Sequence, residues 1–210
     1  MTINNVPDID PANNGSLPGV LQFAFSKILQ NVDGMLPAQV ISYDRTANRV
    51  QVQLLIAVMT TGGAQITRPQ IASIPVLLLG GGGFFLNFNL NAGDLGWVVA
   101  NDRDISLFLQ NYTNSAPNTN RVKSFADGVF VPDTMKGYTI ASEDASNAVL
   151  QNLDGTVKIT LGAGQITISA PVVNIDNFNS GTISFITPAT GTLKVTGNIT
   201  ATGSITPDVP

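Results

Sequence analysis

The last third of the chain repeats itself, and that limits its folds more than any other feature. Gly155–Thr160 reads GTVKIT, Gly191–Thr196 reads GTLKVT, and Gly181–Thr187 between them reads GTISFIT. Apolar residues alternate with polar ones at Val157/Ile159/Leu161, Ile166/Ile168, Val173/Ile175, Ile183/Phe185 and Leu193/Val195, and Ile199 follows. Turns rich in Gly, Asn and Pro separate these segments. A period of two predicts short strands, each with one apolar stripe and one stripe of Thr and Ser.

A single copy of such a ribbon gains little by folding. Each buried Val or Ile contributes about 1.5–3 kcal/mol, whereas ordering the backbone costs about 1–2 kcal/mol per residue. Apolar side chains occupy fewer than half the positions. Identical chains wrapped round a common axis bury every stripe and pair their strand edges. The expectation is an obligate homotrimer, a β-prism or interleaved β-helix, with those twelve residues as axial or interchain packing. A single-chain β-solenoid remains open, because such repeats also stack within one chain. A disordered Thr-rich tail is disfavoured by the regular alternation.

The surface chemistry points the same way. Charged residues make up 11% of the 210 positions, against roughly 25% in ordinary soluble domains. The net charge is −4, with five Lys and five Arg, so no electrostatic footprint for nucleic acid or anionic membrane is expected. The start, MTINNVPDIDPANNG, lacks the features of a signal peptide. No apolar stretch is long enough for a spanning helix. The chain is therefore expected to fold in a cytoplasm. It has no Cys and no His, and Glu143 is its one Glu. The absence of His removes the usual general base and the commonest metal ligand. The expectation is a protein that is not an enzyme and holds no cofactor or metal.

Four segments are expected along the chain. Residues 1–34 form a polar lead (1–18) and a short helix, with Leu21, Phe25, Ile28, Leu29 and Val32 at helical spacing and Gly34 as the stop. The apolar face of this helix covers a core or binds a neighbour, and the inward reading is preferred. Residues 35–133 carry five or six short strands, which argues for a small antiparallel barrel. They include Gln39–Tyr43, Arg49–Val58, IASIPVLLL, FFLNFNL, a strand with Trp97, Val98 and Val99, and the strand-like ISLFLQ. Residues 134–152 read as a connector and 153–210 as the repetitive shaft.

Candidate chemistry is sparse. Gly80–Gly83 lacks the Lys-Ser/Thr and the helix of a phosphate loop, so it reads as a turn where strands approach closely. Asp102 and Asp104 flank Arg103; a shared cation or acid/base pair is weighed against a local salt bridge through Arg103 or a contact to a neighbouring subunit, and the latter reading is preferred. Asp94 after Gly93 reads as a turn former. Trp97, inside LGWVVA, is expected within the barrel or at an interface rather than on a sugar-stacking platform with Tyr43 and Tyr112.

Taken in order, LPAQVISYDRTANRVQVQ, IPVLLLGGGGFFLNFNLNAGDLGWVVANDRDIS and RVKSFADGVFVP resemble the N-terminal domain of phage baseplate central-spike proteins. The resemblance covers roughly residues 35–133. It implies an oligonucleotide/oligosaccharide-binding (OB) barrel at the base and a trimeric β-helical spike beyond it. It also implies a cell-puncturing role at the tip of a contractile tail, in the virion. The implied partners are two further copies of the chain, a tail hub or baseplate protein at the N-terminal base, and, transiently, the host outer membrane. Two departures stand out. Val122 and Lys123 occupy a segment where members often carry His. The chain also lacks the His-x-His of many iron-binding tips, so either a separate capping protein supplies the tip or the chain is truncated. A trimeric receptor- or glycan-binding tail fibre module is the alternative, and a cell-wall hydrolase is a distant third.

Overall fold

The computed structural model describes residues 15–30, 32–60, 63–135 and 137–173, and the chain divides into two units, Met1–Thr139 and Ile140–Pro210. The first unit begins with α1 (Leu17–Gln30), whose start is capped by Ser16 Oγ accepting from the Gly19 amide at 3.3 Å. Strands β1 (Met35–Asp44) and β2 (Arg49–Leu54) follow. Between them the Asp44 carboxylate accepts from the Thr46 and Ala47 amides, both at 3.0 Å, and Asn48 takes a positive φ of 52°. This local side-chain-to-backbone bonding is why DRTAN turns.

Next come the two-residue strands β3 (Val58–Met59) and β4 (Gln65–Ile66), then β5 (Ile71–Pro75). Strands β6 (Leu79–Gly81) and β7 (Phe84–Leu86) form a hairpin, and β8 (Leu95–Asn101) follows. Gly82 and Gly83, both at positive φ, make the hairpin turn. A Cβ on Gly80 would sit 2.7 Å from the Phe84 carbonyl oxygen, so close approach explains this glycine. The glycine run is a turn, as expected.

The segment ISLFLQ departs from its expected strand. It folds as a short turn of helix, α2 (Phe108–Asn111), because the Asp104 carboxylate accepts from the Ser106 amide at 2.9 Å and the Leu109 amide bonds Ile105 O at 3.0 Å. Alternation over so few residues does not separate strand from helix when an Asp initiates the turn.

Strand β9 (Ser124–Pro132) completes a five-stranded antiparallel sheet in the order β5-β2-β1-β8-β9. The sheet curls until its edges meet. Val76, just after β5, bridges Phe130 in parallel, and the Leu77 amide donates to Phe130 O at 2.8 Å. The result is a near-closed barrel. Every second residue of β2 and β8 points inward, and the core comprises Ala38, Val40, Val50, Val52, Leu54, Ile74, Val76, Val98, Ala100, Phe125 and Phe130. Gly96 faces the Phe130 ring, and a Cβ there would lie 2.4 Å from Phe130 Cζ. The missing side chain is the room that Phe130 fills.

Two expected core contributions are corrected. Trp97 alternates with the buried positions of β8, so it is half-buried on the outer side of the strand. Its indole Nε1 donates to Asp133 Oδ2 at 2.7 Å. The apolar residues of α1 do not enter the core either. Leu17, Leu21, Phe25, Ile28 and Leu29 are all exposed, because the curled sheet fills its own interior.

In the second unit a 3-10 turn (Ser142–Asp144) precedes a three-stranded antiparallel sheet of β10 (Ala148–Gln151), β11 (Lys158–Gly162) and β12 (Gln165–Ser169). β10 thus falls inside the stretch read as connector. Gly155 and Gly164, at φ 74° and 86°, serve the two turns.

Candidate assembly surfaces

The sheet of the second unit carries the residues singled out in the repeat. Its register sets Leu150 opposite Ile159 and Ile159 opposite Ile168, then Ala148 opposite Leu161 and Leu161 opposite Ile166. Directly paired residues share a face. Two rows of three apolar side chains therefore lie together on one side. That side is open, with Leu150 53%, Leu161 52%, Ile166 70% and Ile168 60% exposed. Val157 and Val173, just outside the strands, are exposed as well. Ile175, Ile183, Phe185, Leu193, Val195 and Ile199 lie outside the described residues.

The opposite face carries Val149, Gln151, Lys158, Thr160, Thr167 and Ser169; its β11 positions are covered, whereas Thr167 and Ser169 of β12 are exposed. Lys158 Nζ bonds Asp144 and lies 3.5 Å from Glu143 Oε1. Asp144 and Thr160 are buried. The Lys158 ammonium beside Asp144 holds that carboxyl below the ordinary range, and Asp144 in turn raises the Lys158 pKa above 10.5. On β11 the usual arrangement is inverted: Thr160 is sealed, while Ile159 and Leu161 face water. Leu150 belongs to the open face but was not picked out in the sequence, although its alternation with Ala148 in NAVLQN carries the signal.

A second apolar surface lies on the barrel. The β6–β7 hairpin exposes Leu79, Phe84, Phe85 and Leu86. Leu79 and Leu86 continue into a groove with Val76, Leu77, Leu78, Phe88, Val131 and Pro132. The phenylalanines of this arm were legible only as strand alternation.

The candidate acid pair does not form a site. Asp102 bonds Lys123 rather than Arg103, and its side chain is 80% exposed. Asp104 is buried and turns towards Arg121, whose Nη2 lies 3.3 Å from Asp104 Oδ2 and 2.8 Å from Asp127 Oδ1. Thr119 Oγ1 donates to Asp104 at 2.7 Å. Hydrogen bonds from Ser106, then Thr119, with Arg121 adding to them, hold the Asp104 carboxyl well below its ordinary 3.8. A carboxylate so strongly ionised has no proton to give near neutral pH. The cluster's work is structural: it ties the segment between β8 and β9 back onto β9. Among the described residues, no group of three or more His, Cys, Asp or Glu is placed to hold a metal ion.

The remaining aromatic candidates are dispersed. Tyr43 packs against the core and its hydroxyl donates to Asn48 at 3.2 Å. Tyr112 is exposed and meets Phe108 edge-on at 5.7 Å. With Trp97 bonded to Asp133, each of the three has a different local partner.

Residues 36–133 match the model of a protein family described as the phage protein Gp138 N-terminal domain. The matched span runs from the start of β1 to the residue after β9, which is the barrel itself. No curated protein matches the chain. The barrel is thus similar to a phage protein domain, which supports a structural protein of a phage virion.

Proposed function

Starting from a phage structural protein, we propose that the chain is the central spike of a contractile-tail baseplate. It works without enzymatic activity or a cofactor. In this reading the barrel is an OB-type base that docks on a tail hub protein. Three copies join through the second unit and the repeat that follows, forming the shaft. The shaft meets the host outer membrane during contraction and pierces it mechanically. Nucleic acid plays no part.

The observation that carries this reading is the open apolar face of β10–β12. Five large aliphatic side chains on one side of a three-stranded sheet demand a cover. Two further copies supply it symmetrically: the three apolar faces turn inward about one axis, and the polar faces, on which Lys158 pairs with Asp144, turn outward. Stiffness then comes from a dry interior and from strands paired along their length. The test is the molar mass of the full chain in solution by light scattering. The expected value is three times that of the 22.0 kDa chain. A well-folded single-copy particle in dilute buffer overturns the proposal.

A further inference from the structure

The first unit carries two uncovered apolar surfaces of different shape. On α1, Leu17, Val20, Leu21, Phe25, Ile28 and Leu29 are all between 47% and 73% exposed. At 100° per residue they span about 180° of the helix surface, wider than the narrow seam of a coiled coil. Such a helix fits a concave apolar partner better than it fits a row of identical helices. The concave partner is the groove beside the β6–β7 hairpin, whose lining from Val76 to Pro132 is entirely apolar.

We propose that α1 of one copy lies in the hairpin groove of the next copy, so that the bases of the assembly are linked head to tail in a closed ring. This rests on the trimeric reading above and names the contact that holds the base together.

Position and area support it. The segment after α1 is pinned at the beginning of β9, where the Phe125 amide donates to Asp33 Oδ2 at 3.1 Å and Arg68 pairs with Asp33 at 3.3 Å. The groove lies at the other end of the same strand, at Val131 and Pro132, about 20 Å away at 3.3 Å per residue. Two unlike surfaces on one body make a heterologous contact, and such contacts close into rings when the rotation allows. Phe84 and Phe88 are 83% and 54% exposed. With about 150–250 Å² per aromatic side chain, they offer on the order of 250 Å². Leu77, Leu79 and Leu86 extend this patch, which then makes up a sizeable part of the roughly 800 Å² that each partner contributes to a stable interface. Each copy gives one such surface and receives another, so no apolar arm is left over in a closed ring.

The absence of cysteine from the chain makes the test clean. Phe25→Cys or Ile28→Cys is placed in the same full-length chain as Leu79→Cys or Phe88→Cys, all at exposed positions. The protein is oxidised, and mass is read by light scattering before oxidation and by denaturing, non-reducing electrophoresis after it. Unchanged Trp97 fluorescence confirms that the barrel is folded. The expected result is a trimeric mass, with most chains in covalent dimers and trimers for at least one helix–groove pair and monomers for each single substitution. A trimeric mass with no such cross-links, with bonds closed within one chain, or with helix-to-helix bonds in Phe25→Cys alone overturns the ring contact and leaves the shaft reading intact. A single-copy mass overturns both.

Discussion

The barrel and the three-stranded sheet of the second unit are built from similar alternating strands, yet one hides its apolar stripe and the other displays it. In the barrel, Val50, Val52 and Val98 are at most 1% exposed, whereas Ile166 and Ile168 in the sheet are 70% and 60% exposed. Closure makes the difference. Five strands curl far enough for Val76 to meet Phe130, and the inner face becomes an interior. Three strands do not, and among the described residues their apolar face stays open, which is the face the proposed trimer would bury. Similar alternation thus yields a closed interior in one region and an uncovered stripe in the other.

The sharpest way to break this contrast is Ile168→Asp. It sets a carboxylate in the row of Leu150, Ile159 and Ile168, and three of them near one axis in the proposed shaft. Light scattering is expected to report single chains while Trp97 fluorescence stays native. A trimer that survives removes Ile168 from the interior. Phe130→Ala attacks the other region. This fully buried ring is expected to cost the barrel about 3–5 kcal/mol. The change is read by urea unfolding through Trp97, the one Trp of the chain, which has no Tyr or Trp in residues 140–210. Association is expected to persist, and loss of the trimer in this variant denies the two units their independence.

Gly96→Ala is a smaller test of the same core. Its Cβ would meet Phe130 Cζ at 2.4 Å and Val131 O at 2.5 Å, and the overpacking is expected to cost about 1–3 kcal/mol in the same unfolding experiment. Alkaline pH gives the smallest effect and separates the two polar clusters. The Lys158 pKa is raised above 10.5 by Asp144, so the stability this pair adds is complete below 10.5 and is lost as pH rises through the raised value. The barrel cluster contains no lysine: Arg121 pairs with Asp104 and Asp127. Limited proteolysis at increasingly alkaline pH is therefore expected to cut the second unit first. Simultaneous cleavage of both units, or earlier cleavage of the barrel, contradicts this assignment.

What the sequence disclosed followed the range of the forces involved. Strands β1, β2, β8, β11 and β12 were legible because alternation is written residue by residue, and DRTAN because Asp44 bonds its own neighbours. The partner of Asp104 was not legible. Arg121 lies 17 positions away, and only the loop between β8 and β9 brings it back, whereas the adjacent Arg103 is not the partner of Asp104. Trp97 was misplaced for a related reason. Inside and outside on β8 differ by one residue of register, and Gly96 holds the inward position because Phe130 occupies its space. The helix was legible but its destination was not, since an amphipathic face states that it needs cover without stating whose.

One small contact at the end of the barrel acquires a meaning from where the chain goes next. Asp133 follows β9, and its carboxylate accepts from Trp97 Nε1 on β8 and from the Met135 amide at 2.9 Å. The chain leaving β9 is thereby fastened to β8 as well, so fraying that begins beyond the barrel has to break a side-chain contact to a second strand before it reaches the rungs of the sheet.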